Sequence, residues 1–162
     1  MILNFYSIIM HQLIKTTLVL SCCFLACGPA PQPKPLEKVD YYGNGAVSRR
    51  VIILDGKKEG MMTDYYPDGK VMGERWFEQD KQHGKTVLYY PSGTVKEVQY
   101  YVRGLKQGGD TVFYENGAIQ FVSHFENGLK NGFLLKWDSL GRKVFEAEYV
   151  LDTLVAVNGE RR

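Results

Sequence analysis

Tyr65-Tyr66-Pro67-Asp68-Gly69, Tyr89-Tyr90-Pro91-Ser92-Gly93 and Phe113-Tyr114-Glu115-Asn116-Gly117 are one phrase written three times, 24 residues apart. Each copy reads as the end of a strand running into a tight turn. Proline presets φ for the turn, and glycine takes the left-handed position that other residues resist. The same interval extends outward in both directions. Gly45, Gly69, Gly93, Gly117 and Gly141 form one column, and Gly60, Gly84, Gly108 and Gly132 form a second. Tyr41, Tyr65, Tyr89, Phe113 and Trp137 stand four residues before the first glycine series; Tyr42, Tyr66, Tyr90 and Tyr114 stand three before it, with Asp138 breaking the column. Val47, Val71, Val95 and Ile119 follow that series by two residues, with Lys143 in the fifth place; Ile53, Phe77, Tyr101, Phe125 and Tyr149 follow it by eight.

A period of this length calls for a repeat architecture before any motif is considered. Each unit predicts a strand, a turn, a strand of about eight residues such as 118–125, and a second turn over 126–132. The fold class expected is all-β: an elongated antiparallel meander of stacked hairpin repeats over residues 39–162, preceded by a disordered or helical N-terminal signal segment. Two strands per unit, at about 4.8 Å each, would advance the array by about 10 Å per repeat and give a body about 45 Å or more long. A lone hairpin is marginal in water, so neighbouring units must support one another.

The pattern Tyr-Tyr-x-x-Gly-x-Val, followed by an aromatic and the second glycine series, resembles the variant MORN repeat of bacterial proteins, including those of the YwqK antitoxin family. The resemblance spans residues 39 to about 150. It implies a β-repeat array, and it implies antitoxin or immunity activity by occlusion of a toxin as one functional reading.

The N-terminus reads as an address. Residues 16–26 form a short apolar run, too short to cross a bilayer, which takes about 20 apolar residues, and Lys15 precedes it. This is the layout of a secretory signal. Met10 offers a start that places Lys15 in the leading segment, where Met1 offers an uncharged one. The run closes on Phe24-Leu25-Ala26-Cys27-Gly28, which resembles the bacterial lipobox. That resemblance implies cleavage after Ala26 and lipidation of Cys27. Residues 27–38 then carry Pro29, Pro31, Pro33 and Pro35 at every second position. Proline lacks the amide donor and favours polyproline II, so the stretch suits a tether of roughly 30 Å. The expected order is a lipoprotein signal over 1–26, the lipidated cysteine and tether over 27–38, and the array beyond. The location expected is the bacterial cell envelope, periplasmic or surface-facing, with membrane contact through the lipid anchor.

The rest of the chain offers little catalytic chemistry. The net charge of +2 has its signs interspersed, so no nucleic-acid partner is expected. Cys22, Cys23 and Cys27 are the only cysteines, which leaves none for a disulfide or thiolate metal site in the array. His83-Gly84-Lys85-Thr86 ends like a phosphate-binding loop, but Gln79 stands where that motif requires glycine. His83 and His124 occupy different phases of the repeat and lack a second ligand at metal spacing. Glu74 and Glu146 share a phase but stand three repeats apart, and Glu97 and Glu126 lie at other phases. No enzyme activity, cofactor or metal is expected.

The aromatic residues remain as candidates. Adjacent strand residues point to opposite faces, so each Tyr-Tyr pair places rings on both sides of the sheet. One ladder would build the core. The other could form an exposed binding stripe, for which Tyr66, Tyr90 and Tyr114 are the candidates. Trp76 and Tyr100 share a phase with His124 and extend such a stripe. The function expected is a non-enzymatic binding or interaction scaffold for a protein partner, with toxin neutralisation and carbohydrate binding as alternatives.

Overall fold

A computed structural model describes residues 33–161. The signal segment, Cys27 and most of the tether lie outside the described residues. All the regular structure described is β. Strands β1 (Leu36–Tyr41), β2 (Val47–Leu54), β3 (Lys57–Tyr65), β4 (Val71–Glu78), β5 (Lys81–Tyr89) and β6 (Val95–Val102) make the first half of the array. Strands β7 (Leu105–Lys106), β8 (Gly108–Phe113), β9 (Ile119–Glu126), β10 (Leu129–Lys130) and β11 (Gly132–Trp137) continue it, and β12 (Lys143–Val150), β13 (Thr153–Val157) and β14 (Glu160–Arg161) close it. They form one antiparallel sheet in which each long strand pairs with the next along the chain. The meander read from the glycine columns is the fold. β1 begins at Leu36, so three of its residues precede the boundary expected at 39.

Two kinds of turn alternate. At Tyr66-Pro67-Asp68-Gly69 the Gly69 amide donates to the Tyr66 carbonyl and the Tyr66 amide to the Lys70 carbonyl. The carboxylate of Asp68 accepts from the Lys70 amide at 3.1 Å, as Asn116 does from Ala118 at 3.0 Å. The opposite ends of the hairpins turn in two residues, both left-handed, as at Asn127 and Gly128. That conformation matches the right-handed twist of the strands it joins. The second turn is therefore tighter than the seven-residue stretch expected from sequence. Gly132 lies past it, at the start of β11, with φ of +110°. Its series marks β-bulges rather than turns: the pairing of β2 with β3 slips between Val51 and Ile53 opposite Gly60, whose φ is +76°.

Consecutive repeats are clasped at both ends. The hydroxyls of Tyr42, Tyr66, Tyr90 and Tyr114 donate to the carbonyls of Tyr65, Tyr89, Phe113 and Trp137 at 2.5 to 2.9 Å. Each bond runs from one turn to the strand end one repeat further on. At the opposite tips the amides of Asp80, Gly104, Gly128 and Asp152 donate to the carbonyls of Lys58, Gln82, Lys106 and Lys130. Where aspartate replaces glycine, its carboxylate adds a return bond, from the Lys58 amide to Asp80 at 2.8 Å and from the Lys130 amide to Asp152 at 2.7 Å. Asp138 departs from the tyrosine column for a physical reason. Its carboxylate closes its own turn on the amides of Leu140 and Arg142, both at 3.0 Å.

The core is thin and lies on one face. Val51, Met62 and Phe77 cluster there with Ile53 beside them. Phe77, Phe125 and Tyr149 continue as a ladder roofed by Lys58, Lys106 and Lys130, whose ammonium groups sit 4.8 to 5.2 Å from the ring centres. Lysine stems thus cover apolar area that a single sheet cannot bury alone.

Candidate binding surface

The core face also carries a polar row. Asp64, Thr86, Asp110 and Ser123 are all buried. Asp64 accepts from Arg49 Nε at 2.6 Å and from Arg75, so two guanidinium groups cover one carboxylate. Gln82 covers Thr86 through a 2.6 Å bond. Lys106 Nζ holds Asp110 Oδ2 at 2.6 Å, while Asp110 Oδ1 has no partner. Glu97 lies nearby, bonded by Gln99. Burial pushes its carboxyl above the usual glutamate range; the Gln99 bond opposes the shift, Asp110 adds to it and Lys106 opposes it. Tyr101, which donates to Gln99 at 2.8 Å, is raised mainly by burial. Asp64, Thr86 and Asp110 are each roofed by a longer neighbour, so the cluster organises the core face.

The Glu97 shift has a sign that can be tested. A carboxyl whose folded pKa exceeds its unfolded value binds protons more tightly when folded. Its stabilisation is present in full below the unfolded value and is lost as pH rises through the folded one. Denaturant midpoints should therefore fall for this group as pH rises above about 4, the ordinary glutamate range. Glu97→Gln should flatten that part of the profile and raise stability at neutral pH. An unchanged slope in the variant would show that Glu97 does not carry it.

The opposite face differs. Cross-strand partners share a face, and the pairs Met61 with Trp76, Trp76 with His83, Lys85 with Tyr100, and Gly109 with His124 place one row across β3, β4, β5, β6, β8 and β9. Phe133 on β11 continues it. Met61, Trp76, Tyr100 and Phe133 are 45, 42, 46 and 48% exposed, far more than an internal ladder of large apolar side chains would be. The Trp76 ring lies beside Gly60, where an added Cβ would stand 4.0 Å from it. Lys85 and His83 stand on β5 between the two rings. Glu78 lies 3.5 Å from His83 Nδ1. On the same face, Tyr89 donates to Glu74 at 2.8 Å beside a depression of about 440 Å³ lined by Lys70, Val71, Glu74 and Tyr89. Burial, and then the Glu74 bond, raise the Tyr89 hydroxyl above its usual pKa.

The candidates from sequence thus separate. Trp76 and Tyr100 share one exposed row with His124. Tyr66, Tyr90 and Tyr114 are half-buried, with their hydroxyls committed to the next repeat. Met61, Phe133 and Lys85 complete the row and were missed. Their own interval of 24, running Met61, Lys85, Gly109 and Phe133, was legible, but its residue types differ too much to stand out as a column. Among the described residues, no three His, Cys, Asp or Glu side chains are grouped to hold a metal.

A single-layer β-repeat array with one roofed face and one apolar row in solvent defines a repeat protein with a binding role. The family model of the MORN repeat variant matches residues 58–77 and 82–103. The first match spans β3, the Tyr66–Gly69 turn and β4. The second spans β5, the Tyr90–Gly93 turn and β6, so the family unit is the hairpin itself. The structure repeats that hairpin beyond the matched pair, as β8–β9 and β11–β12. No curated protein matches the chain.

Proposed function

We propose that the protein is a non-enzymatic scaffold held to a bacterial envelope membrane through a lipid on Cys27, and that it binds a protein partner on the row containing Trp76 and Tyr100. The observation that carries this reading is the exposure of those two rings on the face opposite the roofed core. Large aromatic groups left in solvent on a rigid surface are the side chains that dominate binding energy when a partner covers them. The lipobox and the proline-rich spacer support the anchor. The resemblance to the YwqK family supports a toxin as one such partner, neutralised by occlusion. A carbohydrate is the second reading, favoured by the open π-faces of the same rings.

Metabolic labelling with an alkyne fatty acid tests the anchor: the label should enter the wild-type chain and be absent from Cys27→Ser. Crosslinking in intact envelopes tests the surface. Trp76→Ala with Tyr100→Ala should remove the partner bands retained by the wild type, because aromatic anchors at interfaces cost about 2 kcal/mol or more when truncated. Bands that persist in the double variant would overturn the assignment of this face.

A further inference from the structure

The row has a period, a polarity and a gap, and together they describe a ligand. Trp76, Tyr100 and His124 occupy the same phase of successive repeats, so they stand two strands apart, or about 9.6 Å. An extended β-peptide repeats its side chains about every 6.7 Å, and an α-helix rises 5.4 Å per turn, roughly half that spacing. A polyproline II helix advances about 9.3 Å per turn and brings a side chain to each platform in step, whereas two α-helical turns overshoot at about 10.8 Å.

Polarity agrees with spacing. The groups between the Trp76 and Tyr100 rings are Lys85, which is donor-only, and His83, whose Nδ1 side already faces Glu78. Of the nearest acids on this face, Glu74 is bonded by Tyr89, and Glu78 lies 3.5 Å from His83 Nδ1 with about half of its side chain in solvent. A proline-rich segment offers carbonyl acceptors and almost no amide donors. A sugar offers hydroxyl donors that would ask for free carboxylates here.

The gap is Gly109. It does not adopt a left-handed backbone conformation, and a side chain added there would meet nothing within 4 Å. The equivalent positions in the other repeats hold Met61, Lys85 and Phe133. Neither strain nor packing requires glycine, and its effect is an open notch between Tyr100 and His124.

We infer that this row docks a proline-rich segment of a partner protein in the polyproline II conformation, with prolines stacked on Trp76 and Tyr100 and one side chain seated over Gly109. The inference rests on the binding-surface reading above and gives its partner a chemistry. A preformed ligand on a rigid sheet loses little conformational entropy on binding, which suits a surface this shallow.

The test uses the full chain in detergent micelles. Fluorescent decaproline is titrated against it, with a Gly-Ser peptide of equal length and chitohexaose as comparison probes. Decaproline should bind saturably and the Gly-Ser peptide should not. Trp76→Ala and Tyr100→Ala should each weaken decaproline at least about tenfold, which corresponds to about 1.4 kcal/mol. Gly109→Leu should weaken it comparably while leaving the melting curve in place, since the added side chain enters open space. Equal binding of the two peptides, or decaproline binding indifferent to Trp76, overturns the inference. So does binding of chitohexaose alone with loss in Trp76→Ala. If decaproline fails while envelope crosslinks still depend on Trp76 and Tyr100, the proline inference falls and the binding surface stands. If both fail, the face itself was misassigned.

Discussion

Asp64→Ala should destabilise the array by about 3 kcal/mol, the largest effect expected from one polar side chain in this molecule. Asp64 is buried, with only 3% of its side chain exposed, between Arg49 and Arg75, whose side chains are 42 and 26% exposed. Its carboxylate satisfies both guanidinium groups on three successive strands, β2, β3 and β4. Deleting it leaves two like charges facing one another over a cavity, on the face where Met62, the cross-strand partner of Arg75, is buried. At this size the loss corresponds to a melting midpoint lower by roughly 10 °C. Asp64→Asn keeps the shape and removes the charge, so it should fall between wild type and alanine. Paired melts with Arg75→Ala, and with the double variant, measure the coupling. A loss under about 1 kcal/mol for Asp64→Ala would mean that the arginines find water at little cost, and that the core face is less closed than the geometry shows.

Replacing Tyr66, Tyr90 and Tyr114 together with phenylalanine should cost about 3 kcal/mol, at about 1 kcal/mol for each hydrogen bond removed. The three bonds lie about 10 Å apart along the sheet and share no partner, so their effects should add. Each links a turn to the strand end of the following repeat, at 2.8, 2.7 and 2.9 Å. In a linear array such contacts between neighbours carry the cooperativity. The triple variant should therefore unfold over a broader range as well as at a lower temperature, and amide exchange should quicken first in the terminal hairpins. Partner crosslinks should survive below the melting range, because the exposed row is intact. Lost crosslinks in a still-folded triple variant would return these tyrosines to the binding surface. A melting curve that does not move would show that water replaces the hydroxyls freely.

These two predictions locate the line between sequence and structure. The interval of 24 residues, the positions of the strands and the antiparallel meander followed from local chemistry. Proline, aspartate or asparagine, and glycine in the Tyr66–Gly69 turn and its copies specify a chain reversal without help from distant residues. The MORN-variant resemblance was carried by the same columns. The faces were a different matter. Alternation assigns a side only while the ladder is regular, and every repeat here contains two slips, such as those between Asp64 and Tyr65 and between Glu74 and Trp76. The slip beside Tyr65 sets one step of β3 against two of β4 and reverses the parity, whereas the slip before Trp76 sets two steps against four and keeps it, so Tyr66 and Trp76 could not be placed on one side or two by counting. The tertiary structure decided that. It used the paired tyrosines to fasten repeat to repeat, roofed small buried acids with arginine and lysine, and left Trp76 and Tyr100 in solvent. Those outcomes depend on which strands lie beside each other, and therefore on contacts that exist only once the hairpins have stacked.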